Sequence, residues 1–228
     1  MYGKISTYEE AVKFIEKIGF MTLSKNPFGF VSLEEITFAG NWHTGNEKDP
    51  WLWKDRLAFE KIASYSKVMG KRPAFISQEW YPYFLSMCRY PLSVEQRYEN
   101  GIIGNMSLLI YRQLKDNRPL NTHELKTRLG INKENERRFE NGLVELQGNM
   151  DITVFGACRR VDRQGENYGW LISEYTTVEQ WAKPEVFKAA ASIPRQEAVE
   201  KVVCRIKDIS PNIAEKDIFK FLGIKKIN

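Results

Sequence analysis

The segment 107–177 constrains the fold of this chain more than any other part. It contains three stretches that begin polar and continue with apolar residues at helical spacing, "SLLIYRQLKDN", "NTHELKTRLG" and "NKENERRFENGLVELQ". Two runs rich in β-branched and aromatic residues follow, "DITVFGA" and "WLISEY", with the polar loop "CRRVDRQGENYG" between them. Such runs around a glycine-containing loop predict a β-hairpin. The segment therefore predicts three helices and then a hairpin.

This order of elements is typical of a winged helix, a variant of the helix-turn-helix. In that architecture the third helix can enter a groove of DNA while the hairpin, called the wing, touches the backbone. The first part of the chain also leads from helices into a hairpin, because "KIASYSKVMGKRPAFIS" contains two short apolar runs around a Gly-Lys turn.

Several helices are predicted around that first hairpin. A helix opens the fold, with Ser6 or Thr7 as its cap and Val12, Ile15 and Ile18 at helical spacing. The stretch after it is irregular, with a short helix at 32–36. "DPWLWKDRLAF" predicts a helix with Asp49 as N-cap and a proline at its first position. "QEWYPYFLSMCRY", interrupted at its proline, and "SVEQRYENG" predict two more.

Changes in the pattern of predicted helices and strands divide the chain into three regions. We expect an N-terminal winged-helix-like region at 1–104 with its hairpin near 61–77, a winged-helix domain at 105–182, and a C-terminal helical extension at 183–228 that is broken at Pro194 and Pro211. The predicted fold class is therefore α+β and mainly helical, with tandem winged-helix units, short β-hairpin wings and a helical C-terminal tail.

Charge and cysteine content limit the classes of function. The net charge of +5 permits an anionic partner and is far from that of a histone-like tail. Three widely spaced cysteines argue against a secreted disulfide framework, and two histidines without metal-ligand spacing predict no metal site. No run approaches the ~18 apolar residues of a membrane span. We expect a cytoplasmic protein with no membrane contact and no cofactor.

The third helix of segment 107–177 is the first candidate for nucleic-acid contact. Phe139, Leu143 and Leu146 form an inward stripe, which leaves an outer surface that carries the candidate DNA-binding residues Lys133, Arg137, Arg138 and Asn141. Arginine and asparagine suit contacts to base edges and phosphates. Four glutamates are interleaved with them, so a solvated face of ion pairs is the alternative interpretation.

The wing is the second candidate. Three arginines lie within five positions, and polar groups stand beside them; the candidate contacts are Arg159, Arg160, Arg163, Gln164 and Tyr168. Such a cluster favours phosphate contacts that do not read sequence. An ordinary polar hairpin tip is the alternative.

The third candidate is the tryptophan-rich stretch "NWHTGNEKDPWLWKDRL". Trp51 and Trp53 lie two positions apart and cannot share a helix face, so one of them could stack on an unpaired base. Glu35 and Asp55 are carboxylates near these aromatics in sequence and could orient a water molecule. Burial of the tryptophans for stability is the alternative interpretation.

Three stretches resemble a known family when taken in order: "IGFMTLSKNPFGFVSLEEIT", "DPWLWKDRLAFEKIASYSKVMGKRPAFISQEWYPYF" and "YRQLKDNRPLNTHELKTRLGINKENERRFENGLVELQ". They are similar to bacterial AlkZ-related proteins, kin of the AlkZ and YcaQ DNA glycosylases, over about residues 7–175. The resemblance implies tandem winged-helix units that act on DNA. It also implies family motif positions at Leu33 and Glu35 in "SLEE" and at Trp53, Lys54 and Asp55 in "WKD".

One feature of the glycosylases is missing from this sequence. They position the attacking water with a Gln-apolar-Gln or Gln-apolar-Asp signature, whereas Gln147 here is followed by Gly148 and Asn149. We expect a winged-helix protein that binds duplex DNA, damaged DNA included. If it also acts as a glycosylase, the reaction is hydrolysis of the N-glycosidic bond of a flipped base, with Trp51 or Trp53 stacking on the base and Glu35 or Asp55 orienting the water. The alternative is a winged-helix module for transcriptional control or protein–protein contact without catalysis.

Overall fold

A computed structural model describes residues 2–161, 164 and 166–224. Its first winged-helix unit contains, in chain order, a helix, a strand, two helices and two strands: α1 (Tyr8–Ile18), β1 (Phe20–Thr22), α2 (Leu33–Ile36), α3 (Pro50–Phe59), β2 (Ala63–Met69) and β3 (Arg72–Ser77). The three strands are antiparallel in the order β1-β3-β2. The predicted first hairpin is confirmed.

The second unit repeats this topology: α6 (Asn105–Lys115), β4 (Leu120–Asn121), α7 (Thr122–Arg128), α8 (Glu136–Gly148), β5 (Ile152–Val161) and β6 (Asn167–Thr177). Its sheet has the equivalent order β4-β6-β5. In both units the short strand between the first two helices pairs with the last strand. The repeated order confirms the α+β fold class with tandem winged-helix units.

The remaining helices connect the two units and form the tail: α4 (Tyr81–Cys88), α5 (Val94–Glu99), α9 (Val178–Trp181), α10 (Pro184–Ser192), α11 (Arg195–Ile209) and α12 (Glu215–Leu222). The tail helices break at the two prolines, as predicted. The proline of α4 lies in its first turn, so that helix begins at Tyr81 and is not interrupted.

Local capping fixes where the key helices begin. The Thr7 side chain accepts from the Glu10 backbone N–H, and Glu10 accepts in return from the Thr7 N–H, which closes a capping box on α1. Asp49 Oδ1 accepts from the Trp51 N–H at 2.9 Å and caps α3. Both predicted caps are confirmed.

Two strands were absent from the sequence-based expectations. β1 and β4 consist of three and two residues, which is too short for a period-two pattern to show. β1 is fully buried and lies in a stretch whose Gly, Pro and Asn content predicts irregular structure.

Two hydrophobic cores hold the chain together. The larger combines the first unit with buried residues of the tail, including Val202 and Ile206 on α11 and Phe221 on α12. The smaller is built from residues of the second unit and extends back to Val94 and Ile103. The second core therefore begins at α5, before the start of α6.

The tail makes a close backbone contact with the first wing. Gly70 in the β2–β3 turn donates its N–H to the Leu222 carbonyl at 3.2 Å. A Cβ added to Gly223, whose φ is +72°, would meet the Gly70 Cα at 2.8 Å. Glycine is thus required at Gly223 both by conformation and by space, and the end of α12 covers the turn of the first wing.

A buried ion pair joins α5 to the start of β5. Arg97 Nη2 donates to Asp151 Oδ1 at 2.5 Å, and these residues are 1% and 3% exposed. Arg97 Nη1 and Asp151 Oδ2 have no hydrogen-bond partner among the described residues. Burial raises the pKa of Asp151 to about 6, although the hydrogen bond and charge of Arg97 oppose this rise.

No helix in the described part of the chain combines the length and apolar character needed to cross a membrane.

Candidate nucleic-acid interface

Helix α8 presents a polar face to solvent. The predicted inward stripe is confirmed, since Phe139, Leu143 and Leu146 are buried. With 3.6 residues per turn, Arg137 and Asn141 lie opposite this stripe, and both are exposed. Arg138 on α8 is exposed as well. Lys133 is also exposed, but it lies in the turn before α8 and not on the helix as predicted, because the helix begins only at Glu136.

Three of the interleaved glutamates have partners within the fold. Lys126 on α7 forms ion pairs with Glu136 at 2.8 Å and Glu140 at 3.3 Å. On the opposite flank of α8, Glu145 accepts a hydrogen bond from the Ser107 hydroxyl at 2.5 Å. These three carboxylates therefore lie on the flanks of the helix, whereas Arg137 makes no ion pair in the described part of the chain.

Strands β5 and β6 of the wing continue to pair beyond the short strand β4, as far as Val161 and Asn167. Arg159 on β5 is exposed, as are Gln164 and the half-exposed Tyr168. The backbone of Arg160 pairs with Tyr168. The side chain of Arg160 and the whole of Arg163 lie outside the described part of the structure.

The wing also carries a tryptophan that the sequence analysis did not select. Trp170 on β6 is 77% exposed, the highest value among the large hydrophobic residues described. The other five tryptophans are all buried or half-buried. Its place in a strand-like run, "WLISEY", gave no signal of this exposure.

Helix α3 of the first unit is the topological equivalent of α8, and its environment is different. Six of its ten residues are buried. The Trp181 indole N–H donates to the Ala58 carbonyl at 3.0 Å, and the Phe59 ring lies against Gly156 of β5. The second unit and α9 therefore cover much of α3, whereas α8 keeps an exposed polar face.

The two tryptophans of α3 have different environments. Trp53 is 2% exposed, and its indole N–H donates to the Glu47 carbonyl at 2.7 Å. Trp51 is half-buried and packs against the His43 ring, with 4.9 Å between ring centroids. Trp53 thus has no free face on which a base could stack, and the structural interpretation fits it better.

The two candidate carboxylates lie in separate environments. Glu35 is exposed and its side chain accepts a hydrogen bond from the Ser32 hydroxyl at 3.1 Å, beside the N-cap of α2. Asp55 is 5% exposed and paired with Lys54 through one carboxylate oxygen. Glu35 is therefore on the surface and Asp55 in the core, and their hydrogen bonds involve no common residue.

The Lys54–Asp55 pair is buried beside aromatic residues of the first unit. The Lys54 ammonium lies 4.6 Å from the centre of the Trp51 ring and 5.6 Å from that of Tyr65. Asp55 Oδ1 is buried without a hydrogen-bond partner among the described residues. Burial raises the pKa of Asp55, although the charge and hydrogen bond of Lys54 oppose this.

Comparison with protein families decides the relationship of this chain. The model of the family described as "AlkZ related" matches residues 5–223. The chain belongs to the AlkZ-related family. No curated protein matches this AlkZ-related chain.

One solved structure is similar to the AlkZ-related chain. It is the Streptomyces sahachiroi DNA glycosylase AlkZ, at 17% sequence identity and a TM-score of 0.39. The match covers 77% of this chain and 51% of that one, so the AlkZ-related chain spans about half the length of the glycosylase.

A small cavity lies where the two units of the AlkZ-related protein meet. It has a volume of about 60 Å³, and its lining includes Tyr65, Gln147 and Tyr175. Both polar ends of Gln147 are used, because Oε1 accepts from the Lys67 N–H at 3.2 Å and Nε2 donates to the Leu143 carbonyl at 3.0 Å. Small-molecule sites usually enclose about 300 Å³ or more, so this cavity is too small for a base.

Proposed function

We propose that this AlkZ-related protein binds duplex DNA through its second winged-helix unit. In this proposal α8 enters a groove, with Arg137 and Asn141 toward the base edges, and Arg159 on the wing contacts a phosphate. The observation that carries the proposal is the contrast between the two third helices: α8 has an open polar face, while α3 is covered.

The charge arrangement supports the same surface. Phosphate contacts need cations that are not already neutralised. Lys133, Arg137, Arg138 and Arg159 are exposed and form no ion pair with the described residues, whereas the glutamates nearest α7 are paired with Lys126. Binding should therefore be driven mainly by electrostatics and should weaken as salt is added.

The geometry supports binding better than base excision. A glycosylase needs a pocket for an extruded base and a group that activates water. Glu35 lies at a helix cap and Asp55 is buried against Lys54, and neither carboxylate lines the cavity of about 350 Å³ beside Phe28 and Asp217 or the cavity of about 60 Å³ beside Tyr65. We propose a DNA-binding role in which the AlkZ-related fold is kept without that chemistry; release of an alkylated base from a duplex by the purified protein would overturn this part.

We predict that Arg159→Ala weakens binding to every duplex sequence alike. Each phosphate contact adds about 0.9 to the slope of log affinity against log salt, so losing one should flatten the slope by about that amount. Fluorescence anisotropy across a salt series measures it. Lys201→Ala, which removes an exposed positive charge from the tail helix α11, is the matched control and should leave the slope unchanged. An unaltered slope in Arg159→Ala would exclude the wing contact.

For α8 we predict a change in sequence preference. Asn141→Ala should alter the relative affinities for different duplexes by ~1–3 kcal/mol, because asparagine recognises adenine edges through two hydrogen bonds. Competition binding against a randomised duplex library measures this. A loss that is equal on all sequences would confine α8 to phosphate contacts. Binding to no duplex at all would leave the alternative, a winged-helix module for protein–protein contact or transcriptional control.

A further inference from the structure

The wing of the second unit carries an irregularity in strand pairing at an exposed tryptophan, Trp170. Strands β5 and β6 pair at Cys158 with Ile172 and again at Arg160 with Tyr168. Between these pairs β5 contributes Arg159 alone, whereas β6 contributes residues 169–171. The extra residues form a bulge, and bulges re-aim side chains.

Gly169 makes this bulge possible. Its φ is +75°, in the left-handed region that side chains other than glycine rarely adopt. A Cβ added there would meet no atom within 4 Å. The requirement for glycine is therefore conformational and not steric, and the next residue along the bulge is Trp170.

Trp170 is exposed to solvent on the unit that we propose binds DNA. The Trp170 indole is 77% exposed and so contributes little hydrophobic stabilisation, whereas the other five tryptophans are buried or half-buried. Arg159 opposite the bulge is exposed, as are Gly169 and Tyr168 nearby. Among the described residues of this part of the wing, the indole therefore has exposed polar and charged neighbours.

We propose that Trp170 is a stacking site for an unstacked nucleobase, so that the wing favours DNA whose base stack is interrupted. This inference rests on the proposed binding of DNA by the second unit. An indole face stacks on any base, and the neighbouring Arg159 supplies the positive charge that such sites combine with aromatic rings. Intact duplex offers no free base face, whereas a gap, an abasic position or a mismatch exposes one.

The test compares an intact duplex with the same duplex containing a single-nucleotide gap. The wild-type protein should bind the gapped duplex about tenfold more tightly, the effect expected from stacking one base. Trp170→Ala should remove this preference and leave the affinity for intact duplex within about twofold, and Trp170→Phe should keep most of the preference. Tyr98→Ala, which removes an exposed aromatic residue from α5, is the control and should change neither affinity.

A second variant tests whether the position of the indole matters, because it keeps Trp170 and changes the backbone beside it. Gly169→Val cannot adopt the φ of +75° without strain, so it should lose the preference for gapped DNA while Trp170 remains in the chain. Circular dichroism and thermal unfolding verify that the fold is retained.

The outcomes distinguish this inference from the proposed function. If the protein binds both duplexes but without preference, or if Trp170→Ala keeps the wild-type preference, the stacking site is overturned and DNA binding stands. An equal loss on both duplexes in Trp170→Ala would make the indole a general contact and would also overturn it. Binding to neither duplex overturns the proposed function and the stacking site together.

Discussion

At pH 8 the Arg97→Met variant is expected to lose about 3 kcal/mol or more of unfolding free energy. Arg97 and Asp151 are 1% and 3% exposed and pair with each other. Removing the guanidinium leaves a buried carboxylate without its counter-ion, which is the costly way to break such a pair. Methionine fills much of the vacated volume, so the loss reports charge more than packing. Urea unfolding measures it.

The stability lost in Arg97→Met should change with pH in a direction that follows from the pKa of Asp151. The pKa of Asp151 is about 6, raised by burial and restrained by Arg97, against about 3.9 in an unfolded chain. A raised acid pKa contributes stability that is present at low pH and is lost as pH rises through the folded pKa. In the wild type this loss ends near pH 6. Without Arg97 the pKa rises further and the loss continues above pH 6, so the cost of Arg97→Met should grow from pH 6 to pH 8.

A second substitution isolates the buried charge. Adding Asp151→Asn to Arg97→Met removes the carboxylate, so the double variant should recover part of the stability lost at pH 8 and should show no growth of the cost above pH 6. A cost below about 1 kcal/mol, or one that is the same at pH 6 and pH 8, would mean that Arg97 does not offset the charge of Asp151.

Trp53→Ala is expected to cost ~3–5 kcal/mol of stability, the range for emptying a buried aromatic site. Trp53 is 2% exposed, and loss of its indole N–H would also leave the Glu47 carbonyl without a donor. In a chain of 228 residues this corresponds to a fall in Tm of roughly 10 °C. Differential scanning calorimetry measures it.

Trp170→Ala is the matched control for Trp53→Ala, since it makes the same substitution at a site that is 77% exposed. Its stability should stay within about 0.5 kcal/mol of the wild type. If the two variants unfold at the same temperature, the burial assigned to Trp53 is wrong. A large loss of stability in Trp53→Ala with none in Trp170→Ala would agree with a buried Trp53 and a solvent-exposed Trp170.

Much of the fold could be predicted because its signals are local. The cap at Asp49, the stripe of Phe139, Leu143 and Leu146, and the two hairpins each depend on residues close together in sequence. Periodicity and capping report such features directly. The short strands β1 and β4 depend instead on pairing with β3 and β6 far along the chain, and nothing in two or three residues reveals a partner.

The candidate site was predicted in part for the same reason. The exposure of Arg137 and Asn141 follows from helical spacing alone. The covering of α3 does not, because it depends on β5 and Trp181 more than ninety residues later in the chain. Trp170 was missed because a bulge breaks the alternation by which a strand pattern assigns faces.

The shared core of the first unit and the tail has a consequence for the order in which the protein folds during synthesis. The core of the second unit draws on residues between Val94 and Ile152, and its sheet is complete at Thr177. The first unit also needs Val202, Ile206 and Phe221. Domains generally fold from the N-terminus as the ribosome releases them. Here the core that the first unit shares with the tail is complete only after α12 has left the ribosome, so we expect the second unit to fold first.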